Sequence, residues 1–222
     1  MLASRTGRPC HLMSRGIASG LFTPARRRRS ETGAPFVIGY AGRLSAEKNV
    51  RMLGHIDEVL RRLGQSGYRL KIVGEGSERA WLQANLPDAE LCGLLKGELL
   101  ADAYADMDVF VFPSETDTFG NVVLEALASG VPTVVSDHGG PKYLVNDGVT
   151  GRTASDASSF AQAVIDLRSD QERRRRMAAA ARESVLGRDW GAVFDGVYAR
   201  YQEVLGGVSV TGRRQTAIVC PT

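Results

Sequence analysis

Four apolar residues in a row, Val109-Phe-Val-Phe112, run into Pro113 and a polar turn, and the helix that follows is broken by Gly130. A run that short and apolar on both faces suits a strand buried inside a parallel sheet, with the helix as its return crossover. The same alternation recurs from about residue 36. Phe36-Val-Ile-Gly-Tyr40 ends in the turn Ala41-Gly-Arg-Leu-Ser45, and Arg69-Leu-Lys-Ile-Val73 ends in Gly74-Glu-Gly76. Ala89 to Cys92 and Val131 to Val135 read as further strands, and Gly148 to Thr153 as a short extended piece. Between them, Lys48 to Leu63 places Val50, Leu53, Ile56, Val59, Leu60 and Leu63 at helical spacing. Ser77 is expected to cap the next helix, which ends before Pro87. Helices are also predicted over Lys96–Ala105, Gly120–Ser129, Ala157–Leu167, Gln171–Val185 and Trp190–Leu205. Trp81 and Trp190 sit among apolar helical neighbours and are expected to pack in the core. Strands alternating with helices specify an α/β fold, a doubly wound, Rossmann-like parallel sheet.

With 222 residues, 43% hydrophobic and 24% charged, the chain is long enough for one good core. It has no apolar run of membrane-spanning length and no secretory leader pattern, so a cytoplasmic protein, or one peripheral at the membrane, is expected. Cys10, Cys92 and Cys220 are far apart and lack metal-ligand spacing, which predicts neither disulfides nor zinc. Residues 1–30 hold seven of the 28 basic residues and none of the 25 acids, so the remainder is mildly acidic. The run Arg26–Arg29 reads as a solvated linker, with a nucleic-acid arm or targeting peptide as alternatives. Arg173–Arg176 reads as an exposed helix face. No nucleic-acid partner is expected for the folded part.

Ligands of open parallel sheets bind at the carboxyl ends of strands, where helix N-termini expose free amides and a positive dipole end. Three polar loops fall at such ends. The first contains Gly42, Arg43, Glu47 and Lys48, a permissive backbone beside two cations suited to a diphosphate. Alone, that pair would be an ordinary surface pair, and Gly39-Tyr-Ala-Gly42 lacks dinucleotide-fingerprint spacing. The second runs from Pro113 to Gly130, with Asp117 before the helix and Glu125 inside it, among Val122, Val123, Leu124, Ala126 and Leu127. A carboxylate on so apolar a helix is costly unless it is paired or serves a ligand. The amides of Phe119, Gly120 and Asn121 begin that helix. The third holds His138 before Gly139-Gly-Pro141, and His138 reads as incidental.

These two acids resemble the acid-x7-acid motif of the glycosyltransferase family 4 donor domain. Similar in order and spacing are Gly42-Arg-Leu-x-x-Glu-Lys-Asn49, Val73-Gly-Glu-Gly76, Tyr104-Ala-x-x-Asp108, Val111-Phe-Pro-Ser114, Gly130-Val-Pro132, Gly139-Gly-Pro141 and Asp147-Gly-x-x-Gly151. The resemblance covers about residues 36–185 and implies the C-terminal half of a GT-B fold, with retaining hexosyl transfer. It implies that Glu125 bonds the ribose hydroxyls of a UDP- or GDP-sugar, that Arg43 and Lys48 bind the diphosphate, and that Asp117 faces the sugar. Phe119, Gly120 and Asn121 would supply amides nearby, Gly93, Leu94 and Leu95 would lie along the base, and no metal would be required. The family commonly has Glu where Asp117 stands, which leaves the sugar open.

His11 to Arg26 resembles the family's interdomain linker, with Ala18 where Asp is usual. The expected organisation is a basic linker remnant over 1–33, a donor domain over 34–187, a helix over 188–205 and a disordered tail over 206–222. The expected partners are then the nucleotide-sugar donor and a separate acceptor-binding domain or a membrane-associated lipid acceptor. Two readings follow, a glycosyltransferase completed by an acceptor domain and a truncated or accessory donor-binding module without transfer activity of its own.

Overall fold

The computed structural model describes residues 2–7, 10–11, 13–30 and 33–206; the expectation for 207–222 lies outside them. Six strands, β1 (Phe36–Ala41), β2 (Tyr68–Val73), β3 (Glu90–Gly93), β4 (Val109–Phe112), β5 (Thr133–Ser136) and β6 (Gly151–Ala154), pair in parallel in the order β3-β2-β1-β4-β5-β6. Every residue of β1, β4 and β5 is buried, as expected of central strands, including the polar Thr133 and Ser136 at the ends of β5. The extended piece near Gly151 is the sixth strand, an edge paired with β5 from Thr133↔Gly151 to Ser136↔Ala154.

Crossovers are made by α2 (Met52–Arg62), α3 (Arg79–Asn85), α4 (Gly97–Ala105) and α5 (Asn121–Ala128), and α6 (Ala157–Ser169) and α7 (Gln171–Glu183) follow the last strand. The α2 helix buries Leu53, Ile56, Val59 and Leu60 and packs on α6, so its apolar stripe faces the core as the spacing predicts. It starts later than the pattern suggests, because Ala46–Lys48 is a 3₁₀ turn closed by Asn49 at φ 51. Ser77 does not cap α3: Glu78 is the capping residue, with no side-chain cap bond, and it pairs instead with Arg51 at 2.5 Å. Asp156 does cap α6, in a reciprocal box with Ser159.

Chain order turns back between β1 and β4, which are neighbours although β2 and β3 intervene in sequence. The loops leaving their carboxyl ends therefore diverge and leave a crevice at the switch point.

Residues Ile17–Arg188 form one compact unit. Its first stretch overturns the solvated-linker expectation for Arg26–Arg29. Arg27 and Arg29 both pair with Asp108, which is 7% exposed and also accepts the Val37 amide at 2.8 Å. Arg26 and Arg28 each reach Asp102 at 2.8 Å, and Arg27 donates to the carbonyls of Ala105 and Met107. A charge run reads as solvated only when its counter-charges are unknown, and here they lie about eighty residues downstream. Arg174 likewise leaves the exposed face expected of Arg173–Arg176, donating to the Leu167 carbonyl and lying 5.2 Å over the Phe36 ring.

The second compact unit comprises the described residues before Ile17 and those from Asp189, including α1 (Leu2–Thr6) and α8 (Trp190–Gly206). Trp190 is not a core residue: it is 43% exposed and stacks on Phe194 at 5.8 Å. Phe194, Tyr198 and Tyr201 continue an exposed aromatic stripe, because helical spacing fixes which residues share a face and not what covers it. No helix among the described residues is long and apolar enough to cross a membrane.

Candidate functional site

Two loops meet at the carboxyl end of β1. After Ala41 the chain passes through Gly42 at φ 152, whose amide bonds the Val73 carbonyl at 3.0 Å. The loop after β2 presses against it: a Cβ on Gly74 would lie 1.9 Å from the Gly42 carbonyl oxygen, and Gly74 sits at φ +137. Only glycine meets both demands. The Tyr40 hydroxyl donates to the Arg43 carbonyl at 3.0 Å and fixes the start of the loop. Burial, and then the Asp117 charge, push the Tyr40 phenol upward, so it remains a neutral donor.

The loop after β4 is tied to the loop after β1 by side chains. Thr116 Oγ1 donates to the Glu47 carbonyl at 2.9 Å, and Lys48 Nζ lies 2.7 Å from Asp117 Oδ1. Asp117 Oδ2 is buried and lacks a hydrogen-bond partner, and the Gly140 amide holds the Asp117 carbonyl at 2.7 Å. Gly120, at φ 92, turns the chain into α5. Phe119, Gly120 and Asn121 thus stand at the start of that helix, where free amides collect.

A cavity of about 390 Å³ opens between these elements. Gly42, Arg43, Leu94, Leu95 and Glu125 line it, so five residues singled out from sequence are brought together. Lys48, Asp117, Phe119, Gly120, Asn121 and Gly93 are not among its lining residues. The Gly93 carbonyl accepts the Gly74 amide at 2.8 Å, just before the lining residues Leu94 and Leu95. Arg43 is 71% exposed and, among the described residues, pairs with Glu47 at 3.4 Å, so its guanidinium stands open to an anion.

Glu125 comes from the cavity side of α5. Its Oε2 accepts a hydrogen bond from the Tyr104 hydroxyl at 2.9 Å. Burial raises the Glu125 carboxyl above its ordinary value, and the Tyr104 bond partly opposes that. A carboxylate that lines the cavity with one oxygen anchored by Tyr104 still has acceptor capacity suited to a pair of vicinal hydroxyls.

Sequence reasoning missed Tyr104 and Glu75, both of which line the cavity. Their signals lay in the quoted motifs Tyr104-Ala-x-x-Asp108 and Val73-Gly-Glu-Gly76, to whose side chains no task was given. His138 is exposed, pairs with Asp137 at 2.6 Å and does not line the cavity. Among the described residues no cluster of three His, Cys, Asp or Glu side chains is arranged to hold a metal ion.

A family model described as glycosyl transferases group 1 matches residues 35–170. The GDP-mannose-dependent alpha-mannosyltransferase of Mycobacterium tuberculosis (strain CDC 1551 / Oshkosh) is 40% identical over 203 residues, which is 88% of this chain and 52% of that protein. The chain thus spans about half the length of the curated relatives it matches. Among solved structures, sucrose-phosphate synthase from Thermosynechococcus elongatus superposes with a TM-score of 0.77 at 24% identity, over 93% of this chain and 56% of its own. The C-terminal domain of the glycosyl transferase group 1 family protein LpcC from Francisella tularensis gives 0.66 at 19%, over 77% of this chain and 96% of its own.

Proposed function

The chain belongs to the group 1 glycosyl transferases, and from that premise we propose that it binds a nucleoside diphosphate sugar, GDP-mannose, as the donor half of a mannosyltransferase. The observation that carries this reading is Glu125, a half-buried carboxylate lining a 390 Å³ cavity whose rim holds the exposed Arg43. The donor assignment is further supported by the 40% identical relative, named for its dependence on GDP-mannose.

In this reading Glu125 accepts from the ribose hydroxyls and the base lies along Leu94 and Leu95. Arg43 and Lys48 bind the diphosphate and offset the charge that grows on it as the bond to the sugar breaks. Asp117 Oδ2 accepts from a sugar hydroxyl, which would satisfy an oxygen now without a partner. The Phe119–Asn121 amides lie alongside. Transfer places the acceptor oxygen on the face the diphosphate leaves, with configuration retained, as in glycosyltransferase family 4, and the acceptor is held by a further domain.

Titration calorimetry with GDP and UDP tests the site. Glu125→Ala is expected to weaken nucleotide binding by about 1–3 kcal/mol through loss of charge-assisted hydrogen bonds. If neither nucleotide binds, or Glu125→Ala binds as well as the parent, the assignment is wrong.

A further inference from the structure

Tyr104 is fully buried on α4, with its hydroxyl 2.9 Å from Glu125 Oε2 and its ring at the cavity wall. Phe22 packs edge-on against that ring, centroids 5.7 Å apart at 77°, and Phe110 lies against it at 5.5 Å. The segment that carries Phe22 is fastened to α4 on both sides of Tyr104. Arg26 bonds Asp102 at 2.8 Å, and Arg27 donates to the Ala105 carbonyl at 3.3 Å. Residues 22–29 therefore grip the one turn of α4 from which the tyrosine projects.

We propose that Tyr104 is a positioning residue for donor recognition, turning Glu125 so that its second oxygen meets the ribose, and that Phe22 holds Tyr104 in place from behind. A glutamate has three rotatable side-chain bonds, and a single hydrogen bond to one oxygen removes most of that freedom before a ligand arrives. The hydroxyl gives its one proton to Oε2, which fixes the plane of the carboxylate and leaves Oε1, with the remaining lone pair of Oε2, to accept from the donor. Burial keeps the phenol protonated, since its ionisation is pushed well above the usual tyrosine range, and it stays a donor throughout the neutral range. The interdomain-linker segment and the ribose carboxylate are thereby joined through two aromatic rings. This inference rests on the ribose role of Glu125 proposed above.

The test compares GDP with 2′,3′-dideoxy-GDP, which lacks both ribose hydroxyls, by calorimetry on the full chain. The parent is expected to prefer GDP. Tyr104→Phe keeps the ring against Phe22 and Phe110, and its urea midpoint checks the fold. It should weaken GDP about tenfold while leaving the dideoxy nucleotide unchanged, so the preference collapses. Phe22→Ala should reduce the same preference about threefold, by loosening the ring. A tyrosine that served only packing would weaken both nucleotides alike, and an unchanged ratio in Tyr104→Phe overturns the positioning role. An unchanged ratio in Phe22→Ala overturns the linker's part. A parent that binds both nucleotides equally removes the ribose role of Glu125 itself, which is a failure of the proposed function and not of Tyr104 alone.

Discussion

Lys48 Nζ sits 2.7 Å from Asp117 Oδ1 and so pins the loop after β1 to the loop after β4 across the switch point. Each partner is about one-fifth exposed, so the pair is screened less than a surface bridge. The resemblance assigns the cation to the diphosphate and the acid to the sugar, and here the two side chains meet directly. Lys48→Met is expected to weaken GDP binding by about 1–3 kcal/mol and to leave guanosine unaffected. Asp117→Asn frees the lysine, so GDP should bind as well as before or tighter, while GDP-mannose loses affinity relative to GDP. Calorimetry with the three ligands decides it, and equal losses for GDP and guanosine in Lys48→Met would refute the diphosphate role.

Desolvation of Glu125 works against the fold at neutral pH. Its carboxyl is raised above 4.5 by burial, so between the ordinary and the raised value the native chain binds more protons than the unfolded chain. Stability contributed at this site is therefore greatest at acid pH, falls as pH rises from the ordinary value through the raised one, and stays low above it. Glu125→Gln keeps an oxygen for Tyr104 and removes the charge. In thermal unfolding without nucleotide, the variant should melt above the parent at pH 7, and the difference should vanish below the ordinary carboxyl value. A variant that melts lower at pH 7 would show that the ionised form is favoured by a partner other than Tyr104.

Much of this architecture was legible because parallel strands and their crossovers announce themselves by period. Val109–Phe112 and Phe36–Tyr40 could only be buried strands, and the placement of Arg43 and Glu125 at one end of the sheet followed from where those strands stop. What could not be read were contacts between residues far apart in sequence. Nothing near Arg26–Arg29 shows that Asp102 and Asp108 will meet them, and nothing near Trp190 shows that its helix face stays open. Tyr104 illustrates the same limit inside the site. Its helical position marks it as buried, but only the crossing of α4 and α5 brings its hydroxyl to Glu125.

Gly140 is constrained by space, not by backbone angle. Its φ of −77 suits any residue, yet a Cβ there would lie 1.9 Å from the Thr118 carbonyl oxygen and 2.8 Å from the Phe119 nitrogen. Both neighbours are backbone, so Gly140→Ala must move the segment that presents Asp117 and the start of α5. A loss of about 1–3 kcal/mol by urea unfolding is expected, as for an overpacked core, together with a reduced preference for GDP-mannose over GDP. Gly196→Ala on α8 is the control, since nothing lies within 4 Å of a Cβ there. An interior helix position favours alanine over glycine, so the control should be neutral or slightly stabilising. If the Gly140 variant matches it, the contact with Thr118 does not constrain the site.

The clasp on Asp108 makes a prediction that proteolysis can read. Asp108 holds Arg27, Arg29 and the Val37 amide, and the side chains of Asp108, Arg27 and Arg29 are each less than a quarter exposed. Asp108→Asn keeps the shape but leaves two guanidinium groups without their counter-charge, a change that costs about 3 kcal/mol at a largely buried pair. Trypsin cleaves after arginine, and residues 26–29 offer it four sites that the clasp holds against α4. The parent should therefore resist early cleavage there, whereas Asp108→Asn should be cut first within this run, giving a large fragment whose mass identifies the site. Because Phe22 lies on the same segment, the variant should also lose part of its preference for GDP over the dideoxy nucleotide. Equal cleavage rates at these arginines, with an unchanged urea midpoint, would show that the ion pairs do not hold the segment.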